Sequence, residues 1–274
     1  MTRKVNTMNT CIVVDGRLVD IGIPVIRWDD PGGFDGYTTK KVVVEDRKTG
    51  RDKVIQGKRY SARKGGIESI TQLFAHHSGG DGRNPSGMYQ TLWMDRNLSV
   101  QFAIEDDGRV YQFLDAVEKA WHGGGHNGIS VGAECCLYPD AGARPNYYSP
   151  ANCKRRGNIP HSVRFETLQG SPRKVFVMPD VQVDAFARTM GGVWAAVTLA
   201  KNEPISEPLF PRVDGKIPRE LIDNAKKHVG LIGHLHTDTR RWKWDPAGFN
   251  FEEAERLTGL YASAFRTVME NPLD

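Results

Sequence analysis

Ile70-Thr-Gln-Leu-Phe-Ala-His-His-Ser78 begins apolar and ends in three polar side chains. A run of this kind reads as a buried strand, residues 70–76, with functional groups gathered at its carboxyl end. Downstream, Ile129-Ser-Val-Gly-Ala-Glu-Cys-Cys-Leu137 is a second strand candidate, with the small residues Gly132 and Ala133 just ahead of Glu134. Between the two, residues 86–98 suit a helix. Residues 100–104 and 109–113 predict a hairpin around Asp106-Asp-Gly108, a turn composition that accepts positive φ.

Working outward, residues 11–60 read as short strands broken by turns, with an apolar stretch at 21–28, a break at Asp29-Asp-Pro-Gly-Gly33 and a β-prone stretch from Lys41 to Val44. Their apolar content is thin, which predicts an extension laid on the main domain, here taken as residues 61–274. Residues 138–172 are rich in proline and glycine and carry Lys154-Arg-Arg156; they read as a long ordered loop or insertion. Three helices follow. Residues 181–200 place Phe186, Met190, Val193, Trp194 and Val197 on one stripe, with Gly191-Gly192 as a weak or bent point. Residues 219–229 present Leu221, Ile222, Ala225 and Val229, and residues 251–269 present Ala254, Leu257, Tyr261, Phe265 and Val268. The sum is an α/β domain, a central mixed β-sheet flanked by helices.

Composition narrows the function. The 274 residues are 39% hydrophobic and 26% charged, and no run is long and apolar enough to span a bilayer, so membrane insertion is not expected. Lys and Arg exceed Asp and Glu by 37 to 33, an excess too small and dispersed to make nucleic acid the expected partner. Cys11, Cys135, Cys136 and Cys153 match neither a disulfide framework nor a four-thiolate zinc knot, and the adjacent pair reads as packed thiols. Arg3 and Lys4 precede no sustained apolar segment, so no Sec signal is recognisable and synthesis in the cytoplasm is expected.

The chemistry lies in residues far apart along the chain. His76, His234 and Asp245 form a candidate three-ligand zinc set, which leaves a fourth tetrahedral position for water. Adjacent strand residues face opposite sides, so His76 and His77 do not both serve, and periodicity does not choose between them. Glu134, facing such a site, can take a proton from the attacking water and deliver it to the leaving nitrogen. Lys243, two residues before Asp245, suits stabilisation of negative oxygen developing on an attacked carbonyl. In Trp121-His-Gly-Gly-Gly-His126, Trp121 offers a sugar-stacking face and His122 a polar contact. The lysine and hydroxyl of a phosphate loop are missing there, so nucleotide binding is not expected.

These stretches, in this order, resemble the zinc-dependent N-acetylmuramoyl-L-alanine amidases of type 2, relatives of peptidoglycan recognition proteins and phage lysozyme-type amidases. The resemblance runs over residues 67–249, interrupted at 138–172. Leu73-Phe-Ala-His-His-Ser78 is similar to the family's first ligand strand. Val100-Gln-Phe-Ala-Ile104 with Asp107-Gly-Arg-Val-Tyr-Gln112 is similar to its central hairpin, and Ala120-Trp-His-Gly123 to its substrate-side loop. Ile129-Ser-Val-Gly-Ala-Glu134 is similar to the strand bearing a catalytic glutamate in one branch. Gly233-His234 and Lys243-Trp-Asp-Pro246 are similar to the second ligand strand and the closing segment.

The resemblance implies His76 rather than His77, with His234 and Asp245, as ligands of Zn2+, and Glu134 and Lys243 as catalytic groups. It implies hydrolysis of the amide between N-acetylmuramic acid and L-alanine, with Trp121, His122, Arg155 and Arg156 contacting peptidoglycan or a muropeptide. Val100 and Gln101 depart from the family, which frequently has tyrosine and histidine there; the glutamate-bearing branch does without that tyrosine. His236 is a second histidine in the ligand loop, but the Gly233-His234 match favours His234. The expected role is that of a phage-type lytic enzyme acting on the wall after release. The alternatives are a cytoplasmic amidase recycling anhydro-muropeptides and a peptidoglycan-binding module without hydrolysis.

Overall fold

The computed structural model describes residues 9–38, 42–45, 52–55 and 59–271. Arg3, Lys4 and Lys41, used in the sequence reading, lie outside the described residues. In chain order the strands are β1 (Cys11–Val14), β2 (Arg17–Asp20), β3 (Val25–Arg27), β4 (Val42–Glu45), β5 (Asp52–Ile55) and β6 (Gln72–His77). They continue with β7 (Phe102–Ile104), β8 (Val110–Gln112), β9 (Ser130–Cys135), β10 (Val163–Leu168), β11 (Ser171–Phe176) and β12 (Gly230–Gly233). The α-helices are α1 (Pro85–Tyr89), α2 (Pro150–Arg156), α3 (Asp180–Ala200) and α4 (Phe251–Glu270).

Six strands form the central sheet in the order β12-β6-β9-β7-β8-β3. The pairs β12–β6, β6–β9, β9–β7 and β8–β3 are parallel, and β7–β8 is the antiparallel hairpin expected around Gly108. The mixed sheet flanked by helices is therefore the observed fold. Parallel central strands are covered on both faces, which is why the middles of β6 and β9, residues 73–75 and 131–133, are buried without polar alternation. Leu73, Ala75, Val131 and Ala133 join the core shared with α3 and α4. On the other face, Trp93, just after α1, packs with Met88, Val100, Ala103 and Phe113.

The stripe expected on α3 is buried in full. Its Gly191-Gly192 pair does not mark a break; it is where neighbours come close. A Cβ on Gly191 would lie 2.9 Å from Tyr261 Cβ of α4, and one on Gly192 would lie 3.0 Å from Ile21, which follows the β1–β2 hairpin. Helix α4 begins where expected, with Asn250 capping Glu253 N. Its buried line is Phe251, Ala254, Thr258 and Ala262, while Val268 of the expected stripe is exposed.

Three local expectations change. Residues 86–98 are helical only to Asp95, as α1 followed by a wider π-type turn at Gln90–Asp95, and Asn97 then takes a left-handed φ of 54°. Residues 219–229 are not a helix. Leu221 N donates to Gln169 Oε1 and Ile222 N to His236 O, so backbone donors are drawn to distant segments and only a 3-10 turn at Ala225–Lys227 survives. The apolar spacing there serves a loop whose Ala225 and Ile222 cover Phe74 and Ile232, while Val229 is exposed. Residues 138–172 are more regular than a loop: they contain α2, opened by Pro150, and strand β10, which pairs with β11. The four cysteines are free, and Cys135, Cys136 and Cys153 are buried. Among the described residues no helix is long and apolar enough to cross a membrane.

Candidate active site

Three parallel strands end side by side, and their ends carry the chemistry. In the β6–β9 register, His76 lies opposite Glu134; in the β12–β6 register, Gly233 lies opposite Ala75, which leaves His234 just past the edge. Neighbouring strands run about 4.8 Å apart, so these pairings bring the side chains together without any loop having to search for them. Phe74, His76 and Glu134 share the face opposite the α3 core. His77 is turned the other way and meets the Trp244 ring edge-on at 5.6 Å. The pleat decides between the two histidines.

Asp245 comes to the same point from the loop after β12, where its carbonyl oxygen accepts from Leu235 N at 2.8 Å. Its Oδ2 lies 2.9 Å from His76 Nδ1 and 3.1 Å from His234 Nδ1. One donor atom from each of the three residues falls within 4.8 Å of the others, a cluster able to hold a metal ion. Two imidazoles and a carboxylate are the donor set of a catalytic zinc centre with an open position.

Burial pushes His76 down to about 4, against the pull of its Asp245 partner. A ring kept neutral in this way presents a lone pair, which is the form that binds metal. Burial also works against ionisation of Asp245, yet the His234 and His76 rings hold its carboxyl well below the usual carboxylate range. Glu134 moves the other way: burial, reinforced by Asp245, pushes it up to about 8, while Lys243 and Arg96 oppose the shift. His76 Nε2, His122 Nδ1 and Glu134 Oε2 are all buried without a hydrogen-bond partner.

A groove of about 1030 Å³ opens over these groups, and Trp121, Arg96, Lys243 and Trp242 line it with the triad and Glu134. Trp121 is 52% exposed and Trp242 72% exposed, so both indoles are accessible at the groove walls, with Arg240 lying over the Trp242 ring at 4.8 Å. His122 is buried in the wall, its Nε2 2.7 Å from Gln101 Oε1. It fits over β9 because residue 132 is glycine; a Cβ there would sit 2.5 Å from His122 Nδ1. His236 is excluded from the cluster by its own bonds: Nδ1 accepts from Gly233 N and Nε2 donates to Pro218 O.

Of the residues singled out in the sequence, the structure brings together His76, His234, Asp245, Glu134, Lys243, Trp121 and His122. Arg155 and Arg156 do not reach the groove. Arg156 pairs with Asp81 at 3.2 Å and lies over the Tyr147 ring, and Arg155 is exposed on α2 near Asn152. Arg96, Trp242 and Asp238 were missed. Asp238 accepts from the backbone of Trp242 and Lys243 at 2.8 and 2.7 Å and so shapes the loop that presents the lysine. A carboxylate a few residues ahead of the candidate lysine was the available signal for that turn.

No curated protein and no solved structure matches the chain. The family model for N-acetylmuramoyl-L-alanine amidase matches residues 67–248. That interval holds the whole constellation and more than half of the sequence, and the chain belongs to this family of peptidoglycan amidases.

Proposed function

We propose that the protein is a zinc-dependent N-acetylmuramoyl-L-alanine amidase of phage type, which cuts the bond between the lactyl carbonyl of N-acetylmuramic acid and the amine of L-alanine in the bacterial wall. The observation that carries the reading is the convergence of His76 Nδ1, His234 Nδ1 and Asp245 Oδ2 beside Glu134. On this reading residues 61–274 form the catalytic domain, with residues 1–60 as an extension on it and an insertion at about 138–172.

His76, His234 and Asp245 would hold the ion. When bound, zinc supplies Lewis acidity, polarising the scissile carbonyl and making water a stronger acid. Glu134 takes the proton of the attacking water and passes it to the alanine nitrogen as the bond breaks, one carboxyl serving first as base and then as acid. Burial raises its proton affinity, and a cation held by the three ligands would lower it again, toward the range in which one carboxyl both accepts and returns a proton. Lys243 stabilises the negative oxygen of the tetrahedral state. Trp121 and Trp242 offer faces for sugar rings, and His122 stiffens the wall behind them.

An open groove with two exposed indoles suits a polymer, which favours wall over a small soluble muropeptide. The test is digestion of purified sacculi and, in parallel, of anhydro-muropeptides by the zinc-loaded protein, with mass analysis of products. Free stem peptides beginning at L-alanine, released faster from sacculi, are expected. Shortened peptides still attached to muramic acid would mean peptidase chemistry, and faster turnover of anhydro-muropeptides would mean recycling.

A further inference from the structure

We infer that Gln169, at the tip of the β10–β11 hairpin, is a positioning residue that fixes the spacing between the His234 and Asp245 segments of the metal centre. The inference rests on the zinc reading above. In the hairpin Leu168 pairs with Ser171, so Gln169-Gly170 is a two-residue turn, with φ of 52° and 76°. Such turns favour asparagine, aspartate or glycine at the first position, and glutamine there is unusual.

What holds glutamine in place is its side chain, which runs inward. Nε2 donates to Leu235 O at 2.7 Å and to Lys243 O at 3.0 Å, while Oε1 accepts from Leu221 N at 3.2 Å. The backbone N also donates to Arg219 O at 3.0 Å. Both amide hydrogens and the amide oxygen are used, and the partners leave one orientation of the amide. Leu235 directly follows His234, and Lys243 stands two residues before Asp245. Leu235 N also donates to Asp245 O at 2.8 Å. Beside the contact between the His234 and Asp245 side chains, the backbones of the two ligand segments are thus tied by one direct bond and by one bridge through Gln169. Asp238 organises the loop internally, through the backbone of Arg240, Trp242 and Lys243, and does not span the gap.

Metal affinity depends on the groups that orient the ligands, and losing one costs about 10- to 100-fold. The hairpin therefore reaches both ligand segments at once through the Gln169 amide, whereas Arg173 of β11, over the Trp244 ring, touches the Asp245 segment alone. Gln169→Gly is the informative variant: glycine accepts the left-handed backbone, so the turn survives while the clamp is removed. Arg164→Ala is the control, since it loosens the same hairpin by losing the bond to Phe249 O at 2.8 Å and the pair with Glu166, away from the site.

Zinc dissociation constants are measured by competition with a chromophoric chelator, together with melting temperatures. Gln169→Gly is expected to bind zinc about tenfold more weakly, with Arg164→Ala within twofold of wild type. Gln169→Glu, which sets a carboxylate oxygen against two carbonyls, is expected to be weaker still. Unchanged zinc affinity in Gln169→Gly overturns the inference, and so does an equal loss in Arg164→Ala, which would mean general loosening. Wild type that binds no stoichiometric zinc overturns the metal reading itself, and this inference with it.

Discussion

His122 Nε2 lies 2.7 Å from Gln101 Oε1, and that contact fixes the state of a ring in the groove wall. The amide oxygen also accepts from Gly132 N at 3.1 Å, and the amide nitrogen donates to Glu118 O at 2.8 Å. Gln101 is therefore oriented, His122 carries its proton on Nε2, and Nδ1 is left as the lone-pair atom. The family's frequent histidine at this position is replaced by a residue that accepts twice and donates once. Gln101→Leu should leave two donors, His122 Nε2–H and Gly132 N–H, unpaired beside the site, while Glu118 O keeps its bond from Arg63, at a cost of about 2 kcal/mol or more. Urea unfolding measures it; a loss below about 0.5 kcal/mol would mean that the contact carries little weight.

Asp106 is the corresponding anchor beyond β7. It is fully buried, and Arg83, Asn158 and Ile159 N all donate to its oxygens, at 2.9, 2.9 and 3.0 Å. Burial alone would raise its pKa, but these bonds together with His161 hold the carboxyl below its ordinary value. A depressed folded value means that the stabilisation is present above about pH 4 and is lost as pH falls through the folded value. Asp106→Asn should cost about 3 kcal/mol at pH 7, and the gap to wild type should narrow at pH 3. Stability curves at the two pH values check this, and a gap independent of pH would refute it.

The sequence disclosed the parts of the site that strand periodicity controls. A polar end on an apolar strand and a glutamate after two small residues identified β6 and β9, and their in-register pairing then set His76 beside Glu134. Sequence periodicity could not separate His76 from His77, because which pleat face is buried depends on where α3 lies. It also misread residues 219–229, where spacing at 221, 222 and 225 imitates a helix while Gln169 and His236 take the backbone donors. Arg156 went astray for a similar reason: its partner Asp81 is remote in sequence and leaves no local pattern.

Gly191 sets how closely α3 and α4 approach. Alanine there would gain roughly 1 kcal/mol of helix propensity. Against that, its Cβ would meet Ala262 N at 3.0 Å and Thr258 O at 3.1 Å, backbone atoms that cannot rotate away. Overpacking of this kind costs about 1–3 kcal/mol, so the net effect should be destabilising. Gly191→Ala is expected to lower the midpoint of thermal unfolding, and a raised midpoint would show that the helices can separate cheaply. Turnover per folded molecule should be unchanged, since the contact lies on the far side of the sheet from His76.

The proposed mechanism gives Glu134 and Lys243 different roles that two variants can separate. Glu134 is outside the three-donor cluster, its Oε2 has no partner, and it stands across from His76 in register. Glu134→Gln keeps the shape and removes the proton acceptor. It should retain stoichiometric zinc and lose about 10²- to 10⁴-fold in turnover. Lys243→Met removes a positive charge near the developing oxyanion while leaving all three ligands, and should lose about 10²- to 10³-fold. Zinc content and the rate of stem-peptide release, measured on the same preparations, check both. Near-normal release by Glu134→Gln would require another base in the groove, and His122, whose Nδ1 keeps its lone pair while Nε2 carries the proton to Gln101, is a neutral candidate there.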